Sequence, residues 1–257
     1  MLNFRNTNIF FTVLLIVLIG IHIKYGLPVY IYPLLFFVYS LILFYGCYYI
    51  GSNFFIRVIC SAATDQKEIA ISFDDGPAID HTPEILQLLK QDNIKATFFC
   101  IGNRIAGNEN LLKQIKDDGH LIGNHSYSHH FWFDMYSSGK MLNDLKLMDS
   151  EMERVTGLRP KLFRPPYGVT NPNLKKTIIK GGYTPVGWSV RSLDTVIQDE
   201  NKLLNRIKGA IKPGAVFLFH DTSKTTMNVL PGFIQEVKSR GYNIIPLDKL
   251  LHLSPYA

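Results

Sequence analysis

The feature that most constrains this 257-residue chain is the absence of charge from its N-terminal part. No charged side chain occurs between Asn6 and Ile23, and none occurs between Tyr25 and Phe55. About 20 apolar residues are enough to cross the hydrocarbon core of a bilayer as a helix. We therefore predict that residues 1–60 form a membrane anchor of two transmembrane helices, over about 6–24 and 29–50.

A cleaved signal peptide is the alternative interpretation of residues 1–24. Arg5 would supply its basic region, but no small-x-small cleavage site follows the apolar run. Two spans would place the N-terminus and the remainder of the chain on the same side of the membrane. Arg5 and Arg57 lie on that side and Lys24 on the other. Three charges leave the side open, so the expected location is a membrane, such as the bacterial cytoplasmic membrane.

The charged residues are concentrated in the remainder of the chain. All 21 acidic residues and all but three of the 27 basic residues follow residue 60. This nearly balanced composition excludes nucleic acid as the expected partner, because such partners need clustered basic side chains. The cysteines, Cys47, Cys60 and Cys100, lack the spacing of a zinc ribbon or a disulfide framework.

Strand-type apolar runs alternate with helical patterns from Lys67 onward. Seven strands are predicted, over 68–73, 95–102, 120–124, 161–164, 183–189, 215–220 and 242–247. Thr82 is the predicted N-cap of the first intervening helix. Later helices are predicted to stop at Gly119, Gly157, Gly182 and Gly241. Continuous apolar strands separated by helices are typical of a parallel sheet, either an open doubly wound sheet or a barrel.

Polar clusters follow five of the predicted strands at their carboxyl ends. They are Asp74–Asp75, His125–His129, Arg164–Tyr167, Trp188–Asp194 and His220–Asp221. Barrel enzymes assemble their active sites from the carboxyl ends of their strands. We therefore expect an α/β fold, a distorted or incomplete (β/α) barrel with about seven parallel strands after the membrane hairpin.

Each cluster has a chemical interpretation and a structural one. His125 and His129, four residues apart, would face the same way on a helical turn and bind a metal, or they form an ordinary polar face. Asp74 and Asp75 combine a metal ligand with a general base, or they belong to an Asp-rich turn. Arg164 could hold a carboxylate through a bidentate pair or make a structural salt bridge.

His220 ends a very apolar strand, which suits either a general acid or a satisfied core histidine. Taken together, F-D-D-G-P (73–77), H-S-x-x-H (125–129), R-P-P-Y-G (164–168) and F-L-F-H-D (217–221) occur in this order. The chain resembles the polysaccharide deacetylases of carbohydrate esterase family 4, which carry a NodB-homology domain. The resemblance covers roughly 67–250, and we place the catalytic domain at 66–250.

The resemblance implies a metal site and a base. Asp75, His125 and His129 resemble the metal ligands of the family, which usually bind zinc and sometimes cobalt or nickel. Asp74 resembles the base that activates the attacking water, and Arg164 resembles the residue that orients this base.

The remaining implied roles concern the substrate. The backbone N–H of Tyr167 would bind the tetrahedral oxyanion, and Leu218 resembles the wall of the acetyl-methyl pocket. His220 resembles the acid that protonates the leaving amine. An amine leaves poorly unless it is protonated as the C–N bond breaks, so an acid is required.

The chain departs from the family pattern at its fourth motif. That motif commonly reads Asp-Ser-x-Asp-Trp, and the matching stretch in this chain is R-S-L-D-T (191–195). Arg191 replaces the aspartate that usually pairs with the catalytic histidine. Either Asp194 takes that role, or Arg191 binds an anionic group of the substrate.

The sequence thus predicts a membrane-bound, metal-dependent hydrolase that removes an N-acyl group, acetyl above all, from an amino sugar of a cell-envelope polysaccharide or glycoconjugate. The expected partners are this N-acylated sugar and membrane lipid. One alternative is a deacetylase or deformylase of a lipid-linked sugar. Another is a non-catalytic, membrane-tethered glycan-binding protein whose altered fourth motif has disabled the acid.

Overall fold

The computed structural model describes residues 2–257. Its helices are α1 (Phe4–Tyr25), α2 (Ile31–Tyr48), α3 (Thr82–Gln91), α4 (Glu109–Asp117), α5 (Ser138–Thr156), α6 (Pro172–Gly181), α7 (Glu200–Gly209), α8 (Lys224–Ser239) and α9 (Leu247–Leu251). Its strands are β1 (Glu68–Asp74), β2 (Thr97–Cys100), β3 (Leu121–Asn124), β4 (Leu162–Phe163), β5 (Thr184–Pro185), β6 (Val190–Arg191), β7 (Val216–His220) and β8 (Asn243–Ile244).

Helices α1 and α2 form a hairpin whose side chains are largely exposed. The Tyr39 hydroxyl donates a hydrogen bond of 2.8 Å to Oδ1 of Asn8, and the rings of His22 and Tyr32 meet near the connection between the helices. Both helices are long and apolar enough to cross a membrane, a test that a signal sequence near the N-terminus also passes.

The sheet follows the order β5-β4-β3-β2-β1-β7-β6, and β8 pairs separately with the start of β1. Every strand pair is parallel. Strands β5 and β6 lie at opposite ends of this order, so the curled sheet stays open between them. The expectation of an incomplete barrel with about seven parallel strands is confirmed.

One predicted strand, 183–189, is shorter in the structure. Within it only Thr184–Pro185 forms a strand, β5, at one end of the sheet, and Val190–Arg191, which follows it, forms β6 at the other end. The residues between them cross the open seam. There, Ile59 forms a bridge with Val186, and its backbone N–H donates to the Pro185 carbonyl at 3.1 Å. The segment that follows α2 therefore occupies the seam. The local sequence pattern of either segment does not predict this pairing, because the two are far apart along the chain.

Helix boundaries follow the sequence closely, with one correction. The N-cap of α3 is His81, and Thr82 is the first residue of the helix. The Thr82 hydroxyl is engaged elsewhere, because it donates to Asp221 and accepts from the backbone N–H of Ala78. The four predicted stop glycines all have positive φ, between 71° and 80°, a conformation that glycine adopts without steric cost.

Candidate active site

The predicted polar clusters meet in one cavity of about 290 Å³ at the carboxyl end of the sheet. The residues around it come from strands β1, β6 and β7 and from the loops that follow β1, β3, β4, β5 and β6. They are Asp74, Asp75, His125, His129, Pro165, Tyr167, Gly168, Trp188, Arg191, Thr195, Leu218 and His220. The candidate residues predicted from the sequence all contribute to the lining of this cavity, with two exceptions. Arg164 and Asp194 are fully buried behind it.

Asp75, His125 and His129 form a compact cluster. Oδ1 of Asp75 lies 3.5 Å from Nε2 of His125 and 3.4 Å from Nε2 of His129. The three potential ligand atoms all lie within 4.8 Å of one another. Two imidazoles and one carboxylate at such a separation are a donor set that suits a catalytic divalent metal.

The two histidines lie in a loop, so the predicted helical turn is wrong. Residues 125–130 have no helical structure, and Ser126 and His129 adopt positive φ values of 68° and 43°. Oδ1 of Asp144 on α5 holds the loop by accepting from the backbone N–H of Tyr127 at 2.8 Å. The imidazoles still converge, with ring centroids 4.9 Å apart, because the loop reverses direction.

The cluster fits a metal ion on the chemistry of its own atoms. Oδ1 of Asp75 is buried and has no hydrogen-bond partner among the described residues. Nδ1 of His125 lies 2.8 Å from the Arg164 carbonyl, an arrangement that directs Nε2 toward Asp75. Burial lowers the pKa of His129 to about 4, which keeps its ring neutral as metal ligation requires.

The charges of the cluster also favour a cation. Burial opposes ionisation of Asp75, but its close contact with His125 and the charges of His125 and His129 lower its pKa well below the ordinary value. Burial disfavours the charged form of His125, yet Asp74 and Asp75 raise its pKa overall. The carboxylates therefore attract positive charge to the position between these side chains.

Asp74 is held by a fully buried arginine. Nη1 of Arg164 lies 2.7 Å from Oδ1 of Asp74 and 2.8 Å from the Ser72 hydroxyl. The other guanidinium nitrogens donate to the carbonyls of Val186 and Gly187. The contact uses one carboxylate oxygen, so the bidentate pair considered from the sequence is not formed. Oδ2 of Asp74 remains directed to the cluster, 3.7 Å from Nε2 of His125.

Asp194 is the partner of His220. Its Oδ1 lies 2.8 Å from Nδ1 of His220, and its Oδ2 accepts from the His220 backbone N–H at 2.7 Å. Burial disfavours the imidazolium, but the hydrogen bond and charge of Asp194 raise the pKa of His220 to about 9. Asp194 thus supplies the carboxylate that Arg191 lacks, and His220 keeps an acidic partner despite the altered fourth motif.

The rest of the cavity lining includes three further candidate residues, Tyr167, Leu218 and Arg191. Tyr167 has a φ of 58°, and its backbone N–H makes no hydrogen bond within the part of the chain that the structure describes. Leu218 is buried at the cavity floor. Arg191 pairs with Leu218 through the sheet, and its guanidinium lies 5.8 Å from the centre of the Trp188 ring.

Sequence reasoning does not identify the residues that support Asp194. The Thr226 hydroxyl of α8 donates to its Oδ2, and the Ser192 hydroxyl donates to its Oδ1 at 2.9 Å. Asp221 also has no predicted role. It is fully buried beside Gly76, and burial raises its pKa to about 7. The only sequence signal for Asp221 is its place after His220 at a strand end.

Comparisons with known proteins agree with this geometry. The family model described as "Polysaccharide deacetylase" matches residues 61–186. The peptidoglycan-N-acetylglucosamine deacetylase of Bacillus cereus is 33% identical over 198 residues, which are 76% of this chain and 72% of the relative. The chain belongs to the polysaccharide deacetylase family. It is accordingly a hydrolase of carbon–nitrogen bonds other than peptide bonds.

Further relatives extend the agreement to other members of the polysaccharide deacetylase family. The peptidoglycan-N-acetylmuramic acid deacetylase PdaA of Bacillus subtilis is 31% identical over 82% of this chain and 78% of its own. The crystal structure of the Bc1960 peptidoglycan N-acetylglucosamine deacetylase matches with a TM-score of 0.74. It is 31% identical and covers 78% of this chain and 95% of its own.

Proposed function

We propose that the chain is a membrane-anchored, metal-dependent deacetylase that removes the N-acetyl group from an amino sugar of a cell-envelope glycan. Residues 1–60 serve as the anchor and 66–250 as the catalytic domain. The observation that carries the proposal is the cluster of Asp75, His125 and His129, with Asp74 and His220 in the same cavity. The relatives named as peptidoglycan deacetylases support a glycan substrate.

Asp75, His125 and His129 would hold the metal, which we expect to be zinc, with cobalt or nickel as alternatives. When bound, a divalent metal lowers the pKa of a water molecule to about 7 and polarises the acetyl carbonyl. The neutral ring of His129 and the ionised carboxylate of Asp75 suit this role.

Asp74 accepts a proton from the attacking water as the water oxygen bonds to the acetyl carbon. Arg164 fixes the carboxylate through Oδ1 and leaves Oδ2 for this proton. The backbone N–H of Tyr167 donates to the developing oxyanion, and Leu218 contacts the acetyl methyl group.

His220 donates its proton to the amine nitrogen as the C–N bond breaks. Asp194 holds Nδ1, so Nε2 is the atom that gives the proton. A pKa of about 9 keeps this imidazole protonated at neutral pH, as a general acid requires. The products are acetate and the free amino sugar.

The test is amine release from N-acetylglucosamine oligomers by the full chain in detergent, first stripped of metal and then supplied with zinc or cobalt. Activity should appear only with metal, and His125→Ala should lose both metal binding and activity. Asp74→Asn should keep metal binding, measured by calorimetry, while its kcat falls by about 10²–10⁴-fold.

Asp80→Asn is the matched control, because Asp80 is an exposed carboxylate in the loop that follows Asp75. It should retain full activity. Wild-type turnover by Asp74→Asn, or equal turnover with and without metal, would contradict the proposal.

A further inference from the structure

A second and larger cavity, of about 640 Å³, adjoins the candidate active site. The two cavities share three lining residues, Tyr167, Trp188 and Arg191. A group bound in the larger cavity would therefore lie next to a sugar whose N-acetyl group is in the active site. Its volume falls in the range of ordinary small-ligand sites.

The outer wall of this cavity is formed by the segment that leaves the hairpin. Its lining includes the end of α2 at Tyr48, the following residues 49–51, and residues 57–61. This wall is fixed to the catalytic domain by backbone contacts. The backbone N–H of Thr170 donates to the Cys47 carbonyl at 3.0 Å, and that of Gly187 donates to the Ile59 carbonyl at 2.9 Å. The N-terminal segment is thus part of the binding surface.

The cavity has an excess of positive charge. Arg57, Arg191 and Lys212 line it, and no acidic residue does. None of the three forms an ion pair with any residue in 2–257. Nε of Arg191 is buried without a hydrogen-bond partner among those residues. Buried donors without partners are costly, so a ligand acceptor at this position is expected.

The cavity also lies at the end of the membrane hairpin. Tyr48 and Tyr49 are exposed at the end of α2, and they line the cavity beside Arg57. Tyrosines at the end of an apolar helix prefer the level of the lipid headgroups. The cations are therefore placed where the phosphate of a lipid-linked sugar would be.

We propose that this cavity binds the phosphate or diphosphate group of an N-acyl amino sugar that is phosphorylated at its anomeric carbon. This inference rests on the proposed function and names its substrate class. A neutral glycan would supply no counter-charge to these three cations, whereas a phosphate oxygen accepts strong charge-assisted hydrogen bonds from arginine and lysine. The two sources of such a group are a polyprenyl lipid in the bilayer and a soluble nucleotide sugar.

The test compares substrates with the full chain reconstituted in phosphatidylcholine vesicles. Polyprenyl-diphosphate N-acetylglucosamine represents the lipid source, UDP-N-acetylglucosamine represents the soluble source, and the N-acetylglucosamine tetramer is neutral. Arg57→Gln and Lys212→Gln should each lower the ratio of kcat/KM for a phosphorylated substrate over the tetramer by about tenfold, mostly through KM. Lys176→Gln, an exposed lysine outside the cavity lining, is the control and should leave the ratio unchanged.

A selective loss with the lipid substrate supports the proposal and assigns the bilayer as the source. A selective loss with UDP-N-acetylglucosamine alone supports the phosphate site and assigns a soluble source. Equal losses for the tetramer and both phosphorylated substrates, or no losses, overturn the inference while leaving the deacetylase proposal intact.

A binding measurement distinguishes a failure of this inference from a failure of the proposed function. Calorimetric affinity for UDP-N-acetylglucosamine requires no turnover and can be measured with metal-loaded Asp74→Asn. Arg57→Gln added to this variant should weaken binding by about tenfold. Unchanged affinity overturns the phosphate site, whereas absent turnover of every substrate by the metal-loaded wild type overturns the deacetylase proposal.

Discussion

Two charged pairs each contribute one residue to the cavity that holds the Asp75–His125–His129 cluster, and the supporting residue has the opposite charge in the two pairs. In one pair a buried cation, Arg164, supports a carboxylate, Asp74. In the other a buried carboxylate, Asp194, supports an imidazole, His220. Strands β1 and β7 place the two functional residues side by side, since Asp74 and His220 are partners in the register. In the proposed mechanism, Asp74 accepts a proton and the neighbouring His220 donates one.

The two supports also differ in how they are held. Arg164 donates hydrogen bonds to Ser72, Val186 and Gly187 as well as to Asp74. These contacts fix it to strand β1 and to the segment that crosses the seam. Both oxygens of Asp194 accept from hydroxyl and backbone donors, which belong to its own loop, to strand β7 and to helix α8. Removing the guanidinium of Arg164 should therefore lower the free energy of unfolding most, and removing a single hydrogen-bond donor from Asp194 should lower it least.

Arg164→Met gives the largest expected effect. It removes the cation beside a carboxylate that is almost fully buried, and breaking a buried ion pair from one side typically costs about 3–5 kcal/mol. Chemical denaturation should show a loss of unfolding free energy of this order, and activity should fall with it. Arg164→Met combined with Asp74→Asn should be more stable than Arg164→Met alone, because no unpaired charge remains.

This pair of variants separates charge from packing. If the double variant is no more stable than Arg164→Met, the lost guanidinium contacts with the Val186 and Gly187 carbonyls, and not the unpaired carboxylate, account for the damage. A single variant as stable as the wild type would show that Asp74 does not depend on the arginine for its charge.

Asp194→Asn should have an intermediate effect that depends on pH. The folded pKa of His220, about 9, lies above its ordinary value of 6.5. The pair therefore stabilises the wild type fully below about pH 6.5, and this contribution is lost as pH rises through 9. A shift of this size corresponds to a free energy on the order of 3 kcal/mol. The variant should thus be destabilised more at pH 6 than at pH 10.

The same substitution should move the pH dependence of activity. Without the charge of Asp194, burial opposes the imidazolium of His220 and only the attraction to Asp74 and Asp75 still favours it, so the pKa of the imidazole falls. The alkaline limb of the kcat/KM profile should shift from near pH 9 toward neutrality. An unchanged alkaline limb would show that His220 is not the proton donor, whatever happens to stability.

The contrast between the pairs also explains what the sequence can predict. The candidate residues other than Asp194 and Arg191 lie at the end of a recognisable strand or in the loop just after it, and the carboxyl ends of parallel strands meet at one edge. Asp194 lies in an irregular loop in which Leu193 has a φ of 67°. Its contact with His220 depends on the path of that loop and on Thr226 in α8, 32 residues later. Local periodicity carries no information about such a contact, so the sequence leaves Asp194 and Arg191 as alternatives.

The pairing at the open seam of the barrel could not be predicted from the sequence for a related reason. The sequence assigns Ile59 to the end of the N-terminal anchor, residues 1–60, but in the structure it pairs with Val186, far along the chain. Residues 183–189 are accordingly predicted as one strand, although β5 occupies only Thr184–Pro185 and the chain then crosses the seam to β6 at the opposite edge of the sheet.

Thr226→Val should have the smallest effect and gives the sharpest test of the acid pair. The substitution keeps the shape of the side chain and removes one hydroxyl donor from Oδ2 of Asp194, which still accepts from the His220 backbone. A hydrogen bond to a charged group contributes about 1.5–3 kcal/mol, so a loss of unfolding free energy near the lower end of this range is expected in denaturation.

The neighbouring Thr225→Val is the control, because the Thr225 hydroxyl contacts Gln198 at 3.4 Å and not Asp194. Thr226→Val should lower kcat/KM a few-fold while Thr225→Val leaves it unchanged. Equal effects of the two substitutions on kcat/KM would mean that α8 supports the acid pair only by packing.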